Sequence, residues 1–173
     1  MAGNSVIYRV GLQKFLTLAK NSGISGIIVP DLPVEESKDY KKECVSANID
    51  TIFLASPSTH PNRLKQILAQ TSGYLYLISL YGVTGVRSSV AQSALTLIKK
   101  YRGAMAGSVP LAVGFGISTP DHVRAMIHAG ADGAIVGSAF IEIIRKNQRN
   151  PIHAAKKLEN MAKAMKKATL GPK

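Results

Sequence analysis

A chain of 173 residues, 46% of them hydrophobic and 18% charged, is long enough for one domain with a sizeable core and lies outside the composition range of disordered polypeptides. With 22 Lys and Arg against 10 Asp and Glu it carries a formal charge of +12, and its one cysteine, Cys44, excludes a disulfide framework and a cysteine-rich zinc site. No run of 18 apolar residues occurs, so no membrane span is expected; MAGNSVIYRV lacks a basic stretch leading into a long apolar one, so no signal peptide is expected, and a cytoplasmic setting fits.

In chain order, Leu12–Asn21 reads as an amphipathic helix, with Leu12, Phe15, Leu16 and Ala19 on one stripe and Gly23 as its stop. Ile27–Val29 is a short apolar strand ending at Pro30, and Glu35–Ala47 is a polar helix. A strand over Thr51–Leu54 precedes a helix over Pro61–Gln70, which opens on a proline at its first position and aligns Leu64, Ile67 and Leu68. A strand over Leu75–Ser79 is followed by a loop, Leu80–Val90, and by a helix over Ala91–Tyr101. Leu111–Val113 is the next strand. Ser118-Thr119-Pro120 then starts a helix over Pro120–Ala129, closed by Gly130. Ala134–Val136 is a strand, a short helix follows Gly137, and a last helix runs from about Pro151 to Ala168 with Ile152, Ala155, Leu158, Met161, Ala162 and Met165 on one stripe.

The strands are blunt apolar runs rather than alternations, the pattern of strands covered on both faces. Starts near residues 27, 51, 75, 111 and 134 make a repeated βα unit, hence a parallel α/β protein, read as one domain over 1–173. The largest gap between starts leaves surplus chain at Leu80–Val90, where a parallel sheet places function. From Arg145 onward, Arg145, Lys146, Arg149, Lys156, Lys157, Lys163, Lys166, Lys167 and Lys173 face Glu159 alone. This reads as the solvated side of a terminal helix. A basic nucleic-acid-binding module is the competing reading, but no Trp is present and no aromatic residue interleaves the stretch, so nucleic acid is not an expected partner.

Two glycine turns carry chemistry. Gly114-Phe115-Gly116-Ile117-Ser118 and Gly137-Ser138 each follow a strand and open a helix. Glycine lets backbone approach a ligand closely, and the free N–H groups of a helix start favour an anion. Tight strand-to-helix turns without a ligand are the plainer alternative. The segment from Ser79 to Ser89 is rich in glycine and hydroxyl residues suited to closing over a ligand. His60, His122, His128 and His153 are scattered and no metal site is expected. Cys44 has no histidine or base placed beside it by motif, so it is not read as a nucleophile, and Met161 and Met165 read as core packing.

Val29-Pro30-Asp31-Leu32-Pro33-Val34-Glu35-Glu36, Ile49-Asp50-Thr51-Ile52-Phe53-Leu54, Gly82-Val83-Thr84-Gly85, Gly114-Phe115-Gly116-Ile117-Ser118 and Val136-Gly137-Ser138-Ala139 occur in one order. In that order and spacing the chain closely resembles the α subunit of tryptophan synthase, over nearly its whole length. The resemblance implies part of an eight-stranded β/α (TIM) barrel with about five to six parallel strands. It also implies a lyase of tryptophan biosynthesis that cleaves indole-3-glycerol phosphate to indole and glyceraldehyde 3-phosphate by a retro-aldol step, without cofactor or metal. It further implies that Gly85, Gly116, Gly137 and Ser138 bind the substrate phosphate and that Ile28, Leu54, Tyr76 and Phe115 line the indole pocket. Thr84 would sit on a mobile loop. Asn4, Ser5 and Asp31 would lie at the surface for the β subunit, which carries pyridoxal phosphate and forms a heterotetramer with α in this family.

The resemblance places Met1 at or near the family's third strand, so the family's catalytic Glu and Asp would lie upstream of residue 1. Neither Glu35, Glu36, Asp39, Glu43 nor Glu142 is placed by motif to replace them. The chain alone is therefore expected to be inactive, with open sheet edges and marginal stability, since such barrels need about 250 residues. Another phosphate-binding β/α-barrel enzyme of amino-acid biosynthesis, or a non-catalytic docking fragment, are the alternatives.

Overall fold

In the computed structural model, residues 1–78, 92–105, 107–114 and 116–170 are described, and they hold eight α-helices and six strands. The strands hydrogen-bond in the orders β1-β2 and β3-β4-β5-β6, all parallel among those whose register is described. The chain divides into two compact units, Met1–Tyr76 with Gly107–Pro110, and Leu77–Ala106 with Leu111–Lys173.

The first unit opens with α1 (Asn4–Val10), joined to α2 (Leu12–Asn21) through Gly11 at φ +85°. Within α2 the stripe behaves as the periodicity predicts: Leu16 is buried and Leu12, Phe15 and Ala19 are half-buried. The helix stops in a left-handed turn at Gly23, φ +76°, where Ile24 N–H donates to Ala19 O and Gly23 N–H to Lys20 O. β1 (Gly26–Ile28) then pairs with β2 (Asp50–Ile52), Ile27 opposite Thr51 and Ile28 opposite Ile52. Gly26 lies in a crowded spot, where a Cβ would stand 3.0 Å from Ile52 Cδ1 and 3.3 Å from Asp50 Cβ. α3 (Lys38–Ser46) packs on β2 and buries Tyr40 and Cys44; α4 (Pro61–Gln70) packs on β3 (Leu54–Ala55) and buries Leu64 and Ile67.

β4 (Leu75–Ile78) belongs to both units. The second unit continues with α5 (Gln92–Met105), β5 (Leu111–Gly114), α6 (Pro120–His128), β6 (Gly133–Ile135), α7 (Ser138–Lys146) and α8 (Pro151–Thr169). Its buried residues include Leu77, Ile98, Tyr101, Met105, Val113, Val123 and Met126. Asp132 ties the layers together: its carboxylate accepts from Arg102 of α5 at 2.5 Å and from Leu111 N–H of β5 at 2.8 Å.

Four details depart from the sequence expectations. Residues 1–3 are not a strand, although Ala2 N–H donates to Ile28 O, and α1 follows them where no helix was expected. The polar segment after Pro33 is a 3₁₀ turn (Val34–Glu36) followed by α3, because Ser37 turns its hydroxyl onto Val34 O at 2.7 Å. The strand run Thr51–Leu54 breaks at Phe53 into β2 and β3. In α8 the buried line is Ala154, Met165 and Ala168 with Leu158 and Met161 half-buried, while Ile152, Ala155 and Ala162 face solvent. α8 packs against α6, and small alanines permit that approach where Ile152 would hold the helices apart.

Candidate functional site

In the first unit, three predicted pocket residues lie on strands. Ile28 ends β1, Leu54 opens β3 and Tyr76 is second in β4. Tyr76 N–H donates to Phe53 O at 3.0 Å, which in a parallel ladder sets Tyr76 level with Leu54. Ile28, Leu54 and Tyr76 are half-buried, whereas their chain neighbours Ile27, Ala55 and Leu75 are buried. Alternation along each strand therefore assigns one face to the helices and leaves the other half-open, with these three residues on the latter. Partial burial, and then the neighbouring Tyr74, push the Tyr76 phenol upward, so it stays an uncharged hydroxyl at neutral pH.

Asn4, Ser5 and Asp31 come together. Both Asp31 carboxylate oxygens accept the Asn4 backbone N–H, at 2.8 and 3.1 Å. Gly3, at the N-cap position of α1, has no side chain to offer, and Asp31 supplies the missing acceptor from 27 residues away. Sequence reading missed this role, since a cap is sought beside its helix. Glu35 and Glu142 are both engaged elsewhere. Glu35 receives two hydrogen bonds from Arg63, at 2.6 and 3.2 Å. Glu142 is held by Arg145 and Lys146, whose hydrogen bonds lower its carboxyl to about 2.

In the second unit, β5 and β6 pair with Gly114 opposite Ile135, so the turns that follow them emerge at the same end of two adjacent parallel strands. Gly116 and Gly137 each lie two residues beyond that paired position. Gly116 has φ +67°, a conformation that favours glycine, and among the described residues beyond its chain neighbours none lies within 4 Å of where a Cβ would stand. Gly137 is the N-cap of α7 and likewise has open space on its Cβ side. Its carbonyl accepts from Phe140 and Ile141 N–H, and no side chain caps α7. The N–H groups of Ser138 and Ala139 thus precede the first intrahelical bonds, and Gly137 and Ser138 are exposed. A helix start with uncapped N–H groups beside an open glycine turn suits an anion with several oxygens, such as a phosphate monoester.

The turn after β5 is anchored by α6. Thr119 Oγ1 accepts His122 N–H at 3.2 Å, and His122 Nδ1 lies 3.4 Å from Ser118 N and 3.5 Å from Ser118 Oγ. His122 is 4% exposed, and sequence reading dismissed it as one of four scattered histidines. The available signal was its position three residues after a threonine N-cap. Gly85 and Thr84, with the rest of their loop, and Phe115 lie outside the described residues.

The family model for the tryptophan synthase alpha chain matches residues 1–170. The tryptophan synthase alpha chain of Methanoregula boonei is 44% identical over 164 residues, which cover 95% of this chain and 61% of that one. The alpha chain of Arabidopsis thaliana is 39% identical over 162 residues, 94% of this chain and 58% of that one. Among solved structures, the α2β2 tryptophan synthase complex of Pyrococcus furiosus aligns with a TM-score of 0.81 at 38% identity, covering 94% of this chain and 63% of the other. The chain thus spans about three-fifths of the length of the relatives it matches.

Proposed function

The chain belongs to the tryptophan synthase alpha chain family, and on that premise we propose that it carries the phosphate-binding part of a site for indole-3-glycerol phosphate. The whole-length reaction is cleavage to indole and glyceraldehyde 3-phosphate, a lyase step of tryptophan biosynthesis. In this reading Gly116 and Gly137 offer backbone N–H groups to the phosphate and Ser138 adds its hydroxyl and helix start; family resemblance adds Gly85, which lies outside the described residues. Family resemblance assigns Ile28, Leu54 and Tyr76 to the indole pocket; it also assigns Phe115 and Thr84, which lie outside the described residues, to the substrate. The reaction needs no cofactor of its own.

The observation that carries the reading is the uncapped start of α7 at Gly137-Ser138, at the same strand ends as the open, left-handed Gly116. Phosphate there gains from the helix dipole and from N–H donors that no side chain occupies. Asn4, Ser5 and Asp31 form the docking surface for a β subunit bearing pyridoxal phosphate. The link between Asp31 and α1 supports this, because it gives that surface a defined backbone.

The chain by itself does not release indole. In this reading no carboxylate of the chain is placed by motif as the acid–base pair, and Glu35 and Glu142 are committed to basic partners. General acid–base catalysis contributes about 10²–10⁴-fold, and without it the retro-aldol step stalls. Titration with glycerol 3-phosphate and an indole-release assay on the same chain test both halves. Measurable phosphate-ester binding with no indole is expected, and Ser138→Ala should weaken binding about tenfold, the scale of a hydrogen bond to a charged group. Absence of binding overturns the phosphate site, and indole release near the rate of a complete alpha chain overturns the inactivity.

A further inference from the structure

We infer that His122 is a positioning residue, a reciprocal cap that holds the turn after β5 in its anion-receiving shape. The turn must present Gly116 N–H while its backbone sits in a left-handed conformation, φ +67°, with open space on the Cβ side. Nothing in Gly116 itself holds it there, so the restraint has to come from its neighbours.

Thr119 is the N-cap of α6, and its Oγ1 accepts the His122 N–H at 3.2 Å. His122 stands at the third helical position. In the usual reciprocal arrangement, a Glu or Gln at this position reaches back to a backbone N–H at the helix start. Here the histidine reaches one residue further back, to Ser118, which precedes the cap residue Thr119. Its Nδ1 lies 3.4 Å from Ser118 N and 3.5 Å from Ser118 Oγ. A backbone N–H only donates, so Nδ1 is the acceptor in this contact.

His122 is 4% exposed, and Nε2 is buried without a hydrogen-bond partner among the described residues. Among the described residues the polar contacts of the ring go to Ser118, at the corner of the turn. On the other side, Ile117 is 3% exposed and pins the middle of the turn to the core. Gly116 is thus followed by one residue anchored by packing and one anchored by the imidazole. The inference rests on the reading of Gly116 as a phosphate ligand, and it adds the residue that presents it.

Two substitutions separate this role from simple packing. His122→Gln keeps an acceptor at the third helical position, and His122→Leu keeps apolar bulk without one. Two readouts on the full chain are needed, hydrogen exchange at the Ser118 amide and affinity for glycerol 3-phosphate. With His122→Leu, Ser118 should exchange at least about tenfold faster, and binding should weaken about fivefold, the scale of one lost cap. With His122→Gln both should stay within about twofold of the parent. The proposal is overturned if His122→Leu leaves both readouts unchanged, or lowers thermal stability with affinity intact, or if His122→Gln is as impaired as His122→Leu. A parent chain that binds no glycerol 3-phosphate overturns the phosphate reading instead, and Ser118 exchange then decides on its own whether His122 holds the turn.

Discussion

Single residues here often act on parts of the chain far from their own position. Asp31 is the acceptor at the start of α1, and the nearest residue to that start, Gly3, has no side chain. Asp31→Ala should lower the stability of the first unit by about 1 kcal/mol, the cost of a lost cap, and should show in thermal unfolding. Asp31→Asn should recover much of it, because an amide oxygen still accepts the Asn4 N–H. Cys44 illustrates the opposite case, a reactive group silenced by its surroundings. It is fully buried, and burial pushes its thiol above the ordinary value. A thiol reagent at pH 7.5 should therefore modify Cys44 only as fast as the first unit opens, and mild denaturant should accelerate the reaction in step with unfolding. Fast modification of the native chain would contradict this placement.

At the scale of elements, α7 and α8 hold seven Lys and Arg residues, and their two acids are shared. Glu142 serves Arg145 and Lys146, and Glu159 serves Lys156 and Lys163. The hydrogen bonds from Arg145 and Lys146 lower the Glu142 carboxyl to about 2. A carboxyl depressed in the fold adds stability above its ordinary pKa, near 4.5, and loses it as pH falls toward 2. Helicity followed by circular dichroism should thus decline slightly between pH 4.5 and 2, and Glu142→Gln should remove that component. The effect is small, as these side chains are exposed, and it should shrink further in about 1 M salt, where the screening length is about 3 Å.

For the molecule as a whole, the outstanding feature is a set of exposed apolar side chains on its last helices. β6 comes last in its sheet order, and Gly133, Ala134 and Ile135 are all half-buried. No residue of α7 is buried; Ile141 is 64% and Ile144 49% exposed, and Ile152 at the start of α8 is 84% exposed. Such a surface beside a final strand favours association. Sedimentation should show concentration-dependent self-association, and Ile144→Lys should reduce it without lowering the unfolding temperature. A chain that stays monomeric at high concentration would show that this surface is tolerated.

Sequence alone determined most of the elements from α2 onward, and most of their limits, but neither α1 nor the break at Phe53. The helices at Leu12–Asn21 and Pro61–Gln70 follow directly from stripes, proline starts and glycine stops. These signals act within a few residues, and so they can be read along the chain. The glycine turns were legible for the same reason: a strand followed by glycine and a helix start is local. Hydrophobic period was less decisive in α8, where alanine is at home on either face. Only its packing on α6 settled that Ala154 and Ala168 are buried while Ala155 and Ala162 are not. What the tertiary structure decided are bonds between residues distant in sequence and side chains whose role depends on reach. Asp31 caps α1 across 27 residues, and Tyr76 stands level with Leu54 because separate strands pair. His122 reads as a stray histidine until its ring is seen facing Ser118. Local preference selects the elements, and long-range hydrogen bonds and close packing select which of their groups meet.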